Sequence, residues 1–399
     1  MYNDPMQSTF VHGLSNLAYF LLKPYIRYRF GKLMPKMHYE VHPDIDLKRK
    51  IPFLLIGNHQ FEVDWAAVGT IWKNKPSPVL ARSLVISAFE RFKLEFLASG
   101  LITSPGEKQM RIIRDIDQSI KLGRPVLVFP EGEITNFGES RPVDKSIGKL
   151  VKILNTDVII AKCKNGFMSL PRWGTSYRKD RAVFVEIFPL FKREQLPELD
   201  PSTIHTSIEQ AIYHNDFADQ RTRMRPIGGD AMAEGLDDYV YVCSACHALH
   251  TLEARGNSIH CSACSKEFLI NEYGFIENAP FDTLVDWNNF QKQYIPDLKA
   301  MEFSSPAVFY DVDYPNYCHT VLGEFTIRYA SGHFHFEGTE KLLPSTLHNE
   351  PIPTVIPVNK LLYVTLSHRN ALIFSYQNRN YFIKIAHRAH SFRLVCEPD

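Results

Sequence analysis

A histidine and an aspartate, His59 and Asp64, stand in the stretch IPFLLIGNHQFEVDW at residues 51–65. Leu54, Leu55 and Ile56 read as a buried strand, Gly57 as its end, and Trp65, Ala66, Ala67, Val68, Ile71 and Trp72 as the start of a helix. The pair therefore brackets a strand-to-helix connection, where an α/β sheet commonly presents its chemistry. A neutral imidazole accepts a hydroxyl proton on one ring nitrogen when a carboxylate holds the hydrogen on the other. His59 and Asp64 could form such a dyad. With no obvious side-chain nucleophile beside them, the nucleophile would be a substrate hydroxyl. The same spacing also occurs by chance, without a catalytic role.

Seven cysteines stand at 163, 243, 246, 261, 264, 318 and 396. Four of them form Cys243-Ser-Ala-Cys246 and Cys261-Ser-Ala-Cys264, two knuckles separated by fourteen residues. Such pairs read as a zinc ribbon in which four thiolates hold a structural metal tetrahedrally. Four thiolates leave no open position for water, so the metal would stabilise the fold and not catalyse. Two disulfides or free thiols are the alternatives, disfavoured because nothing indicates export to an oxidising compartment. His247, His250 and His260 lie nearby as competing ligands, but spacing favours the cysteines. The segment from Tyr239 to Glu277 carries few cations, which argues against nucleic-acid binding.

The elements that must position these groups follow from periodicity. At 399 residues, with 45% hydrophobic and 12% aromatic content, the chain has length for about two to three packed domains. A net charge of +1 argues against a general nucleic-acid binder, and any basic surface must be local. The first thirty residues show neither a cleavable signal nor a span of about 20 apolar residues. They place Phe10, Val11, Leu14, Leu17, Phe20 and Leu21 before Lys23, Arg27, Arg29, Lys32 and Lys36. An apolar helical face with a basic flank suits a membrane interface, or else packs on a domain core.

Residues 1–40 are accordingly read as an interfacial amphipathic segment and 41–220 as one α/β domain of alternating strands and helices. Its helices are expected over Ser87–Leu97, Lys108–Leu122, Lys145–Leu154 and from an N-cap at Ser202 through Ala218. Its strands are expected at Val79–Ala81, Leu101–Thr103, Val126–Phe129, Val158–Ala161 and Val183–Phe188, the third breaking at Pro130 into a polar loop. Residues 221–238, RTRMRPIGGDAMAEGLDD, lack an apolar period and read as a linker. The ribbon occupies 239–277. Over 278–399 helix signals nearly vanish and aromatic residues alternate with polar ones. A hairpin at Ala330-Ser331-Gly332 and turns near Arg369-Asn370 and Asn378-Arg379-Asn380 suggest a small antiparallel barrel or sandwich. Its strand rhythm weakly resembles pleckstrin-homology or GRAM-like lipid-associated domains. His333, His335, His387 and His390 read there as surface or half-buried side chains.

Two loops in order, NHQFEVD with His59 and Asp64 and FPEGEIT with Phe129, Pro130, Glu131 and Gly132, resemble the glycerophospholipid acyltransferase family, best known for acylating 1-acyl-glycerol-3-phosphate. The resemblance covers roughly residues 10–220. It implies an α/β acyltransferase-like domain with a central sheet, His59 as general base, Asp64 as its orienting acid, and the Glu131-Gly132 loop at the acceptor's polar head. It extends substrate contacts to Asn58, Phe129, Pro130, Lys108 and Lys145. This chain departs from the family's FPEGTRS in carrying Glu133 and Ile134, and from its central Arg in GLITSPGEKQMR, where Lys108 or Arg111 would substitute. Arg82, Arg141 and Lys162 are further cations that a donor's phosphates could use.

The expectation is thus a cytoplasm-facing peripheral membrane acyltransferase that takes an acyl group from acyl-CoA or acyl carrier protein, with structural zinc, no catalytic cofactor and no nucleic-acid partner. Two rivals remain: a degenerate domain serving as a lipid-binding membrane adaptor, and a metal-dependent hydrolase with His59 and Asp64 as ligands.

Overall fold

The computed structural model describes residues 36–85, 87–103, 109–174, 182–313, 318–343, 352–367, 369–377 and 379–398, with five positions between 14 and 21. Among those five, Leu14, Leu17 and Leu21 are helical and exposed. The rest of the expected amphipathic segment up to residue 35, and Lys108, lie outside the described residues. The chain divides into two compact units, one within residues up to Arg225 and one built chiefly from Pro226–Asp399.

The first unit is organised by a sheet of β1 (Lys36–Val41), β2 (Leu54–Gly57), β3 (Ser77–Ala81), β4 (Leu101–Thr103), β5 (Val126–Val128), β6 (Val158–Lys164) and β7 (Ala182–Phe191). Their spatial order is β1-β7-β6-β2-β5-β3-β4. From β6 to β4 all neighbours are parallel; β7 runs antiparallel to β6, and β1 parallel to β7. β2 lies near the centre, and its apolar run is buried on both faces as a central parallel strand requires. Leu54 and Ile56 join a core with Ile116, Ile147, Val151, Ile204 and Ile208, from the helices Gln109–Lys121, Ser146–Leu154 and Pro201–Ile212. Leu55 points the other way, into Phe53, Phe61, Val68 and Trp72. The period of two divides one strand between two cores. Two of those helices pass so close that a Cβ on Gly148 would clash with the Pro201 carbonyl oxygen.

Three elements differ from the sequence reading. β1, with the half-exposed pattern of KMHYEV, gives no periodic signal and crosses the boundary expected at residue 40. The helix expected at Ser87–Leu97 is a single α-turn, Ala88–Arg91, continued by a π-helical turn, Phe92–Leu97. The helix expected from Ser202 to Ala218 is two. Asp200 caps the first, its carboxylate accepting from the amides of Ser202 and Thr203, and Asn215 caps a second, Asp216–Arg223, in the same way.

In the second unit, residues read as a linker are packed: Ile227, Met232, Ala233 and Leu236 are buried, and the amide of Ile227 donates to Glu272. Four short antiparallel strands follow, β8 (Leu252–Arg255), β9 (Ser258–Cys261), β10 (Glu267–Ile270) and β11 (Ile276–Glu277). A second sheet holds β12 (Phe303–Asp313), β13 (Cys318–Ala330), β14 (His333–Glu337), β15 (Val355–Pro357), β16 (Leu362–Ser367), β17 (Ala371–Tyr376) and β18 (Arg379–Ile385). Its order is β15-β14-β13-β12-β18-β17-β16, antiparallel throughout. Laid flat, seven strands spaced about 4.8 Å apart would separate the outer two by about 29 Å. Yet the end of β15 at Pro357 and the start of β16 at Leu362 are joined by a link that spans at most about 18 Å. The sheet must curl, and Phe309, Phe325, Phe334, Phe336, Phe374 and Tyr381 fill its inside. Helices Leu284–Gln291, Ile295–Ala300 and Ala389–Leu394 belong to this unit and were not read from the sequence.

Candidate active site and metal centre

The ladder between β2 and β6 ends at Gly57, yet the chain stays fixed for one residue more. Asn58 lies fully buried, its Nδ2 donating to the carbonyl of Cys163 at 2.8 Å and its Oδ1 accepting the Cys163 amide at 2.7 Å. A side-chain amide here continues the strand pairing while the backbone is free to turn. His59 is the first residue released from the sheet. Its Nδ1 lies 2.9 Å from Oδ2 of Asp64, the imidazole being 21% exposed and the carboxylate 0%. The same oxygen accepts the amides of Gln60 at 2.9 Å and Phe61 at 3.4 Å. Asp64 also opens the short helix Asp64–Gly69, whose N-terminal amides favour negative charge. A carboxylate held this way keeps Nδ1–H directed at itself and leaves Nε2 to receive a proton.

The second loop closes round His59. The Phe129 ring stacks on the imidazole with centroids 4.6 Å apart and planes 19° from parallel. It fits there because Gly57 has no Cβ; one would lie 2.8 Å from the Phe129 ring. Glu131 is buried, and its Oε1 accepts the amide of His59 at 3.0 Å while its Oε2 accepts the amide of Arg141 at 2.6 Å. Burial pushes its carboxyl up to about 7, against the lowering effect of those two bonds and of nearby His59 and Arg141. The amide of Thr135 donates to the His59 carbonyl at 3.0 Å. Gly132 is exposed at φ +74°, but its N–H is spent on the carbonyl of Phe129 at 3.1 Å, so it is not an open oxyanion donor.

Residues 38–163 match the model of the acyltransferase family. This stretch is an acyltransferase domain. The match runs from β1 to β6 and includes both loops round His59; acyl transfer is the class of reaction that comes with it. Among solved structures the chain is similar to that of the 1-acyl-sn-glycerophosphate acyltransferase PlsC from Thermotoga maritima, at 16% identity and a TM-score of 0.39, over 54% of this chain and 90% of that one. No curated protein sequence matches it.

Around this acyltransferase site the remaining candidates fall unequally. Pro130 is buried, and its carbonyl accepts the amide of Asp144, beside Lys145, which is exposed at the start of the helix Ser146–Leu154. Arg141 pairs with Glu133 at 3.3 Å. Arg111 is exposed on Gln109–Lys121, and Lys162 is half-buried on β6. One feature of the acyltransferase unit escaped sequence reading: a buried His214, its Nε2 2.6 Å from Oδ1 of Asp216. Asp216 also accepts the amides of Asn165 and Met168, so it anchors the turn after β6 that follows Cys163. The Asn-Asp helix start at 215–216 was its only trace in the sequence.

In the second unit the four thiols of Cys243, Cys246, Cys261 and Cys264 all lie within 4.8 Å of one another. Cys243 and Cys264 have sulfurs 3.9 Å apart, Cys246 and Cys261 3.7 Å. Thiolates about 2.3 Å from one tetrahedral zinc would stand about 3.8 Å apart, so the donor set fits that ion. The two knuckles share one backbone pattern: His247 N–H returns to the carbonyl of Cys243 and Ser265 N–H to that of Cys261, each at 2.9 Å with φ near the left-handed region at +64° and +60°. His247 is turned away to the Tyr294 hydroxyl and His250 to Ser391. Burial pushes His250 down to about 3 and keeps it neutral. Of the C-terminal histidines, His390 departs from the surface reading: it is buried, stacked on Tyr239 at 5.3 Å. Among the described residues no helix is long and apolar enough to cross a membrane.

Proposed function

We propose that the protein is a peripheral membrane O-acyltransferase that moves a fatty acyl group from an acyl thioester, acyl-CoA or acyl carrier protein, to the hydroxyl of a glycerophospholipid-like acceptor such as 1-acyl-glycerol-3-phosphate. The observation that carries it is the 2.9 Å contact between His59 Nδ1 and buried Asp64 inside the acyltransferase domain. His59 Nε2 takes the acceptor's hydroxyl proton as that oxygen attacks the thioester carbonyl. The new C–O bond forms, the C–S bond breaks, and the imidazolium returns the proton to the leaving thiolate. A positioned base of this kind contributes about 10² to 10⁴ fold. Lys145 and Arg141 are described cations near the second loop that would meet acidic groups of the substrates.

The four cysteines hold a zinc ion that stabilises the second unit and takes no part in the chemistry. Leu14, Leu17 and Leu21 support contact with the bilayer that carries the acceptor. The adaptor alternative draws on Glu133, which pairs with Arg141 where the family's FPEGTRS has an uncharged Thr. Release of free thiol from long-chain acyl-CoA in the presence of lysophospholipid acceptors separates the two: the enzyme reading requires acceptor-dependent release that His59→Ala abolishes, and no release with either donor favours the adaptor.

A further inference from the structure

We infer that Glu131 is a positioning residue for the base rather than a contact to the acceptor. The inference rests on His59 acting as proposed above. A residue that binds an acceptor's polar head must present an atom to it, and Glu131 is turned away from solvent: its side chain is buried, one oxygen accepts the His59 amide and the other the Arg141 amide. The carboxylate therefore spans two segments that are distant in the chain, the turn that ends β2 and the irregular stretch before the helix Ser146–Leu154.

The loop that bears Glu131 meets His59 at every other handle as well. Thr135 donates to the His59 carbonyl, and Thr135 is itself fixed by its hydroxyl, which donates to the Glu139 carbonyl at 2.6 Å and accepts the Gly138 amide at 3.1 Å. Phe129 covers one face of the imidazole. Backbone N–H, backbone C=O and ring face are all held from the second loop, while Asp64 holds Nδ1. A base must sit within a few tenths of an ångström of its productive position, and misplacement of about 1 Å can cost of order 10² fold in rate. The second loop is thus the cradle of the base, and Glu131 is the strut that joins it to Arg141. Arg141, whose side chain reaches Glu133, is held at its backbone amide by the Glu131 carboxylate.

The test uses the full-length protein with Glu131→Gln, close in shape but able to accept only one of the two amides, and Glu131→Ala, which accepts neither. Amide hydrogen exchange is followed at His59 and Arg141, and kcat and the acceptor KM are measured with long-chain acyl-CoA. Expected are exchange at both amides faster by at least tenfold in Glu131→Ala, kcat lower by about tenfold in Glu131→Gln and more in Glu131→Ala, and an acceptor KM within twofold of the parent. A raised acceptor KM with kcat and both exchange rates unchanged would overturn the inference. Absence of His59-dependent transfer in the parent protein would remove the functional reading instead, and the exchange data would still decide whether Glu131 holds the two loops. Should Glu131→Ala fail to fold, the exchange rates and the split between kcat and KM in Glu131→Gln carry the decision.

Discussion

At the scale of single residues, the dyad makes the sharpest demands. Asp64→Asn leaves the shape but presents an amide where the carboxylate held Nδ1–H and received two backbone amides. It should lower kcat by roughly 10² to 10⁴ fold with little change in KM, read from steady-state kinetics. Glu131 carries a separate signature in stability. Its folded value, about 7, lies above the ordinary 4.5, so the folded chain holds this proton more tightly than the unfolded one. That contribution is complete below about 4.5 and is lost as pH rises towards 7. The unfolding free energy of the parent relative to Glu131→Gln should therefore fall between pH 5 and 7.5, by a few kcal/mol at most; a parallel pair of pH curves would contradict the burial that raises Glu131.

His59, Asp64 and the second loop were legible because their residue types and order carry chemistry. The work done by Asn58 and Glu131 was not: both look like polar loop residues available to a substrate. Only the fold places Asn58 on the backbone of Cys163 and turns Glu131 inward to the His59 amide, contacts across 105 and 72 residues of sequence.

At the scale of elements, β2 and its neighbours set where His59 emerges. Apolar strands between polar turns read directly as a buried sheet, because burial on both faces leaves a continuous apolar run. Edge strand β1 and the split after Ile212 left weaker traces: β1 is half exposed, and the break at Tyr213-His214-Asn215 rests on the local Asn215 cap together with the tertiary bonds of Asp216 to the amides of Asn165 and Met168. Two substitutions test this level. Asn58→Ala leaves the amide and carbonyl of Cys163 unpaired and buried; it should destabilise the first unit by about 1 to 3 kcal/mol in denaturant unfolding. Gly57→Ala pushes a methyl into the Phe129 ring, so kcat should fall while the overall secondary structure by circular dichroism is kept.

At the scale of the whole molecule, the two cysteine knuckles were the other strong sequence signal, since four thiolates at that spacing have few structural uses. The curled sheet beyond them was read in outline from its turns, Ser331-Gly332 among them, while its three helices were not. Leu284–Gln291 and Ala389–Leu394 bury residues on nearly every side, so no clean 3.6-residue stripe marks them. Metal analysis of the purified chain should give one zinc per molecule, and its removal by a strong chelator at neutral pH should lower the melting of the second unit, with Cys261→Ser doing the same. A chain that melts identically with and without the ion would contradict a structural metal. Removing residues 1–30 should reduce co-sedimentation with liposomes while the excised protein stays folded.

The most direct measurement is thiol release from long-chain acyl-CoA by the full-length protein with liposomes and a panel of lysophospholipid and alcohol acceptors, beside His59→Ala. The account predicts release that depends on an acceptor and falls by at least two orders of magnitude in the variant. Equal release by the two proteins would contradict the assignment of His59 as the base.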